Sequence, residues 1–175
     1  ALNGGTVKLG RLLAPFGIRD IVLVGRSSPL PSEGQIEPIP ASVEAALGRQ
    51  LDLVRIEVSP DVIRYRNVSA IPVVAAMPSG ETIGKTLRSF ASDPLPNTGI
   101  GLPSYGPPVL SFEGYVEDSV EIFAAVPFES SWELSVDGIE VRESVALEWA
   151  TGFSPGKSGS VELRHHTSSS HKIVI

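Results

Sequence analysis

The chain has 175 residues, 42% hydrophobic and 19% charged, a composition that is typical of a folded domain and excludes a disordered protein. Its net charge of −6 and its lack of clustered Lys and Arg argue against a nucleic-acid partner, because such binding depends on cations that neutralise phosphates. Cysteine is absent, which excludes disulfides, thiolate metal sites and thiol nucleophiles.

The first 77 residues combine helical and strand patterns, which predicts a small α/β layer. An apolar helical stripe over 7–16 is interrupted by Pro15 and Gly17. Ser42 is placed to cap a second helix over 43–49, and Glu44 lies in its first turn, where the helix dipole favours negative charge. Apolar runs predict four strands, which are separated by loops or turns and lie over 18–24, 51–58, 62–68 and 71–77.

Residues 78–108 are rich in Pro and Gly, which predicts a surface connector containing one helix over 81–91. From residue 109 onward the pattern is β alone. The predicted strands are 109–115, 119–126, 132–136, 139–141, 146–150, 160–165 and 172–175. Short strands separated by turn residues at this spacing indicate an antiparallel β-sandwich of the jelly-roll kind.

The clearest local pattern is a β-hairpin over residues 132–141. Apolar Trp132, Leu134 and Val136 alternate with polar residues, so one face of this strand is apolar. Asp137-Gly138 then supplies the positive φ angles that a two-residue turn requires. We therefore predict a tight hairpin with Trp132 at its start.

These patterns together predict an α+β fold in three parts. Residues 1–77 form the small α/β subdomain, 78–108 the connector and 109–175 the β-sandwich subdomain. The last part is short for an independent sandwich, so we expect it to pack with the first.

Four blocks of sequence resemble the extracytoplasmic C-terminal domain of bacterial, actinobacterial-type, multi-pass membrane glycosyltransferases, and they occur in the family order. The blocks are residues 10–24, with a Leu-rich helix and an apolar strand; Gln50-Leu51-Asp52-Leu53; Tyr65-Arg66-Asn67 with Ile71-Pro72; and the hairpin that runs into Val136-Asp137-Gly138. The chain departs from the family at Asp20, where an aromatic residue is usual.

This resemblance implies a non-catalytic domain on the extracytoplasmic face of the cell membrane, in a protein of cell-envelope polysaccharide assembly. The implied partners are the membrane portion of the same polypeptide and the glycan acceptor, with no cofactor. The catalytic apparatus of such enzymes lies outside this domain, so the resemblance nominates no catalytic residue. The sequence itself has no Asp-x-Asp pair to hold a cation that bridges a diphosphate.

Aromatic residues are the candidate carbohydrate-binding groups, because sugar rings stack their C–H faces on exposed aromatic rings. Tyr105 lies in a predicted loop and is the strongest candidate. Trp132 and Trp149 lie at apolar positions of predicted strands, where core packing is the alternative. Tyr115 and Phe153 complete the set.

Other chemical motifs are weak. Residues 152–158 resemble a phosphate-binding loop but have the wrong glycine spacing, and a strand follows them, so a turn is predicted. The histidines His165, His166 and His171 lack a carboxylate in register, and no metal site is expected. The acidic run at Glu117, Asp118 and Glu121 is predicted to be a solvated turn. No Gly-x-Ser-x-Gly elbow nominates a serine nucleophile, and the Asn67-Val68-Ser69 sequon is expected to carry no glycan.

Two alternatives remain at this stage: a free-standing carbohydrate-binding module, and a structural or adhesin-like interaction domain. No run of 18 apolar residues is present, and the apolar residues 173–175 are either a last edge strand or the start of a membrane helix.

Overall fold

The structure, a computed structural model, describes residues 6–25, 39–59, 61–92, 99–103, 111–129 and 131–165. It is mostly β, with three antiparallel sheets and few short helices. The chain divides into two compact units, Ala1–Ile71 and Pro72–Ile175, called here the first and second unit. Among the described residues, no helix has both the length and the apolar character that crossing a membrane requires.

The first unit is a three-stranded antiparallel sheet with two short α-helices. Its elements are α1 (Leu9–Leu13), a 3-10 turn (Ala14–Phe16), β1 (Asp20–Val24), α2 (Ala41–Gly48), β2 (Leu53–Ser59) and β3 (Val62–Asn67). The strand order is β1-β3-β2. Alternation along β3 buries Ile63, Tyr65 and Asn67 on the inner face of the sheet.

The structure confirms the predicted end of the first helical segment and contradicts the predicted N-cap of α2. The first helical segment ends at Gly17, which has φ 66° and donates its N–H to the Ala14 carbonyl, as predicted from Pro15 and Gly17. The predicted Ser42 cap is wrong, because Pro40 is the N-cap of α2 and no side chain caps the helix. Pro40 fixes the backbone at this entry, and Ser42 lies inside the first turn.

Three buried polar side chains attach helix α1 to the sheet. Gln50 Oε1 accepts from Leu9 N at 2.9 Å, and the Asp52 carboxylate accepts from Gly10 N at 3.0 Å and Arg11 N at 2.7 Å. Asn67 Nδ2 donates to the carbonyls of Gly10 (2.8 Å) and Ile18 (2.9 Å). Buried polar groups need such partners, so this polar clamp satisfies the helix N-terminus and orients α1.

The polar clamp also explains two sequence features. Gln50, Asp52 and Asn67 belong to the blocks that carry the family resemblance, and each has a structural role here. The Asn67 amide is buried and bonded through both its nitrogen and its oxygen, which accepts from Ser69 N. The sequon asparagine therefore has a structural role in the fold.

Tyr65 lies in the small core of the first unit. Its ring packs with Leu47, Leu53 and Ile63, and its hydroxyl donates to the Glu44 carbonyl at 3.3 Å. Burial raises the pKa of Tyr65 above 10.0, Glu44 raises it further, and Arg55 opposes the shift.

The raised Tyr65 pKa makes the first unit sensitive to alkali. The unfolded state loses the phenol proton at a lower pH than the folded state, so the stability contributed by this shift is complete below pH 10.0 and is lost as pH rises through the folded pKa. In urea unfolding between pH 8 and pH 11, Tyr65→Phe should lose less stability with rising pH than the parent. Tyr115→Phe, at an exposed tyrosine, is the matched control, and parallel pH profiles for Tyr65→Phe and the parent would contradict the assignment.

The second unit contains two antiparallel sheets and one short helix. Its elements are β4 (Val74–Pro78), α3 (Leu87–Ser92), β5 (Ile100–Gly101), β6 (Ser111–Val116), β7 (Val120–Pro127), β8 (Trp132–Val136), β9 (Ile139–Val141), β10 (Glu143–Ala146), β11 (Ala150–Phe153) and β12 (Gly159–His165). One sheet has the order β10-β11-β7-β4-β5 and the other β6-β12-β8-β9.

One hydrophobic cluster contains side chains from both sheets of the second unit. The five-stranded sheet contributes residues such as Ile122 and Phe153, and the four-stranded sheet contributes Leu134, Val136 and Leu163. The predicted hairpin is confirmed, since β8 and β9 pair across Asp137 (φ 50°) and Gly138 (φ 76°). The alternation along β8 therefore identified its buried face correctly.

The structure corrects one sequence expectation for the second unit, and two others stay predictions. The strand predicted over 146–150 is a turn, because Leu147 and Glu148 have positive φ and the strands lie on either side of it. The connector predicted over 78–108 contains the edge strand β5 and the buried Leu102. The strand predicted over 172–175 lies outside the described residues.

The helix predicted over 81–91 is shortened to α3 because a buried carboxylate holds the segment before it. Glu121 on β7 accepts from Gly80 N (3.1 Å), Ile83 N (3.2 Å), Thr82 N and the Thr82 hydroxyl (2.5 Å). These contacts hold residues 80–83 in a loop beside β7. The expectation that Glu121 belongs to a solvated acidic turn is wrong, since its side chain is buried, whereas Glu117 and Asp118 are exposed.

Candidate functional site

A groove lies where the chain passes between the two sheets of the second unit. Strand β9 is an edge of the four-stranded sheet, β10 is an edge of the five-stranded sheet, and Arg142 joins them. The resulting groove has a volume of about 420 Å³ and is called here the Trp132 groove. It is lined by Trp132, Glu133, Glu140, Val141, Arg142 and Glu143.

Trp132 combines a structural role with a place in this lining. It is 8% exposed and belongs to the hydrophobic cluster of the unit. Its ring stacks obliquely on His165, with the centroids 4.7 Å apart and the planes at 54°. Little of the indole is therefore left to face the groove, and the core role expected from the strand pattern dominates.

The polar lining of the groove is mainly acidic. Glu133, Glu140 and Arg142 are exposed, and Glu143 is half-buried. Carboxylates accept hydrogen bonds from hydroxyl groups, and the guanidinium donates in a planar fork. Three carboxylates with one guanidinium beside an aromatic edge suit a neutral ligand that is rich in hydroxyl groups.

The other aromatic candidates that the structure describes lie away from this lining. Trp149 is half-buried in the turn before β11, where its carbonyl accepts from Phe128 N at 2.9 Å, so its predicted strand position is wrong. Phe153 is buried in the core, and Tyr115 on β6 is 73% exposed. Tyr105 lies outside the described residues. Of the three carbohydrate candidates, the structure brings Trp132 alone to the groove among the residues it describes.

The remaining motifs take the places expected of structural elements. Residues 154–158 form the loop between β11 and β12, with Gly156 at φ 66°, as the predicted turn requires. His165 ends β12 with Nε2 at 3.7 Å from the Glu129 carboxylate, and His166 and His171 lie outside the described residues. Within the described ranges no cluster of His and acidic residues is arranged to hold a metal ion.

Sequence reasoning missed the groove-lining residues Glu140, Arg142 and Glu143. The sequence carried no signal for them, because the strand after the hairpin was expected over 146–150, whereas β10 begins at Glu143 and leaves one residue to cross between the sheets. The chain matches no family model, and comparisons with curated proteins and solved structures give no significant match.

Proposed function

We propose that this chain is a non-catalytic extracytoplasmic domain of a bacterial membrane glycosyltransferase of cell-envelope polysaccharide assembly, and that it contacts the glycan acceptor in the Trp132 groove. The observation that carries the glycan contact is the lining itself: an aromatic edge, an Arg and three Glu side chains around one open groove. The membrane portion of the same polypeptide is its structural partner, and the two sheets of the second unit act as a jelly-roll-like β-sandwich.

The side chains that line the groove offer the three kinds of contact that a sugar ligand makes: an apolar surface, hydrogen-bond acceptors and a hydrogen-bond donor. The Trp132 edge offers an apolar contact for sugar C–H groups, while Glu140 and Glu143 accept hydrogen bonds from ring hydroxyls. Arg142 donates to a ring or glycosidic oxygen. The open shape admits an internal segment of a chain, which is what a polysaccharide acceptor presents.

The family assignment is supported by the order of its sequence blocks and by what their polar residues do. Gln50, Asp52 and Asn67 hold α1 against the first sheet, so the motif residues are fold determinants. Such residues identify a domain type and do not act on substrate. We accordingly assign no catalytic residue to this chain.

The proposal is tested by binding to an array of oligosaccharides from bacterial cell envelopes. The parent should retain at least one glycan, and Arg142→Ala and Glu140→Gln should each weaken that binding about tenfold, the effect of losing one charge-assisted hydrogen bond. Arg88→Ala and Glu117→Gln, at exposed positions outside the groove, are the matched controls. Retention of no glycan by the folded parent, or equal retention by all four variants, would sink the proposal.

The full reading frame of the gene separates the proposed family from the free-standing module. Membrane spans encoded beside this segment agree with the proposal. A signal peptide directly before Ala1, with no span in the frame, points to the free-standing carbohydrate-binding module instead.

A further inference from the structure

The outward surface of the sheet in the first unit is apolar at its edges and cationic along its centre. Directly opposed residues of antiparallel strands share a face, so the registers Asp20↔Arg66↔Val54, Val22↔Arg64↔Ile56 and Val24↔Val62↔Ser59 place nine side chains on one side. The inner side packs on the hydrophobic cluster of the unit. The opposite side, called here the outer sheet face, consists of Asp20, Val22, Val24, Val54, Ile56, Ser59, Val62, Arg64 and Arg66.

The apolar part of the outer sheet face is open to solvent. Val22, Val24 and Val54 are 51%, 52% and 50% exposed, and Ile56 and Val62 are half-buried beside them. Half-exposed valines therefore lie on both edge strands of the sheet, on the same side as the arginines of β3. Their exposure makes this side a candidate interaction surface.

The charged part of this face has more cations than its one carboxylate satisfies. The Asp20 carboxylate lies 3.6 Å from Arg64 Nε, 3.8 Å from Arg66 Nε and 3.6 Å from Arg19 Nε. These distances exceed hydrogen-bond range, and Asp20 Oδ1 and the Nε atoms of Arg64 and Arg66 are all buried without a hydrogen-bond partner in the described part of the chain. The two guanidiniums of the face share this one carboxylate, which leaves the face with a net positive charge. The face therefore complements a carboxylate.

We propose that the outer sheet face binds an extended protein segment that presents carboxylates flanked by apolar side chains. An extended segment places alternate residues on one side, and residues two apart match the spacing of Arg64 and Arg66 along β3. Its carboxylates pair with the two guanidiniums, while its apolar residues cover the valines of the edge strands. This inference is independent of the Trp132 groove.

Size and charge argue against two other occupants. Three strands about 4.8 Å apart and five residues long give a face of roughly 250 Å², well below the roughly 800 Å² that each partner buries in a stable interface, so a second copy is disfavoured. Two copies would also oppose like charges. An anionic lipid surface is disfavoured because residues 72–175 carry 13 acidic against six basic residues, so the chain as a whole is repelled.

The test uses methyl NMR on the 175-residue chain with a capped peptide, Val-Ser-Glu-Ser-Glu-Ser-Val, and its analogue with Lys in place of Glu. The acidic peptide should shift the methyl signals of Val22, Val24 and Val54, and the Lys analogue should leave them unchanged. The double variant Arg64→Gln/Arg66→Gln should weaken binding about tenfold. Val22→Thr, which keeps the β-branched shape, should weaken it severalfold.

Two controls and four contrary outcomes complete the experiment. Arg88→Gln and Val145→Thr change exposed residues of the second unit and should bind the acidic peptide as the parent does. Equal binding of both peptides, or no methyl shift, would overturn the proposal. So would sedimentation with phosphatidylglycerol vesicles in place of peptide binding, or a self-association that Val22→Thr abolishes.

Discussion

Gly10→Ala should lower the free energy of unfolding of the first unit by about 3 kcal/mol. A Cβ at this position would lie in hard contact with Asn67 Oδ1 and 2.9 Å from the Asp52 carbonyl oxygen. Alanine favours the helix over glycine by only about 1 kcal/mol, whereas overpacking costs 1–3 kcal/mol and each broken buried hydrogen bond costs about as much again. The steric cost therefore exceeds the gain in helix propensity.

Urea unfolding followed by hydrogen exchange of first-unit amides measures this effect. The control is Gly48→Ala, because an added Cβ at Gly48, the last residue of α2, meets no atom within 4 Å. That variant should be as stable as the parent or slightly more stable. If Gly10→Ala behaves like Gly48→Ala, the polar clamp does not have the geometry described here.

Glu121→Gln should destabilise the second unit by about 3 kcal/mol. The carboxylate accepts from three backbone N–H groups and one hydroxyl, and a glutamine amide turns a donor toward at least one of these donors. A buried donor left without an acceptor costs about 1–3 kcal/mol, and bonds to charged groups lie at the upper end of the range. With the amide oxygen in the place of Oε1, Gly80 N–H loses its acceptor and the other three bonds lose the charge of theirs.

The same substitution should release the loop that Glu121 holds. Amides of Thr82 and Ile83 should exchange at least tenfold faster with solvent in Glu121→Gln than in the parent, while core amides of β12 change only with global stability. Glu117→Gln, at an exposed position between β6 and β7, is the control and should shift stability by less than about 0.5 kcal/mol. Unchanged exchange at Thr82 would contradict the anchoring role.

The sequence predicted those elements whose local chemistry agrees with their tertiary environment. Alternation along 132–136 and the Asp137-Gly138 turn identified the hairpin, and Pro15 with Gly17 identified the end of the first helical segment. In each case the signal is local and no distant residue is needed. Similar reasoning placed Trp132 in the core.

The failures arise where distant contacts override local preference. Leu147 has no intrinsic preference for positive φ, and the turn it makes is stabilised by its N–H bond to the Thr82 carbonyl, 65 positions away. Residues 81–86 have a helical pattern, but the amides of Thr82 and Ile83 donate to the Glu121 carboxylate, and the segment forms a loop. Neither contact leaves a trace in the local sequence.

The candidate site was only partly predictable for the same reason. Trp132 was nominated correctly as a residue to examine, but the groove exists because Arg142 joins the edge strands of two sheets. The pairing that makes β9 and β10 edges is a property of the whole unit. Sequence alone nominated aromatic residues by type and did not identify the carboxylates beside them.

Glycan contact at the Trp132 groove is tested most directly by a backbone amide NMR titration with the oligosaccharide that the array selects. We expect shifts to be concentrated at Glu133, Glu140, Val141, Arg142 and Glu143, with the first unit unchanged. Saturation at a common affinity for these amides would establish one site. Shifts that fall elsewhere, or a spectrum that no envelope glycan changes, would contradict the proposed function.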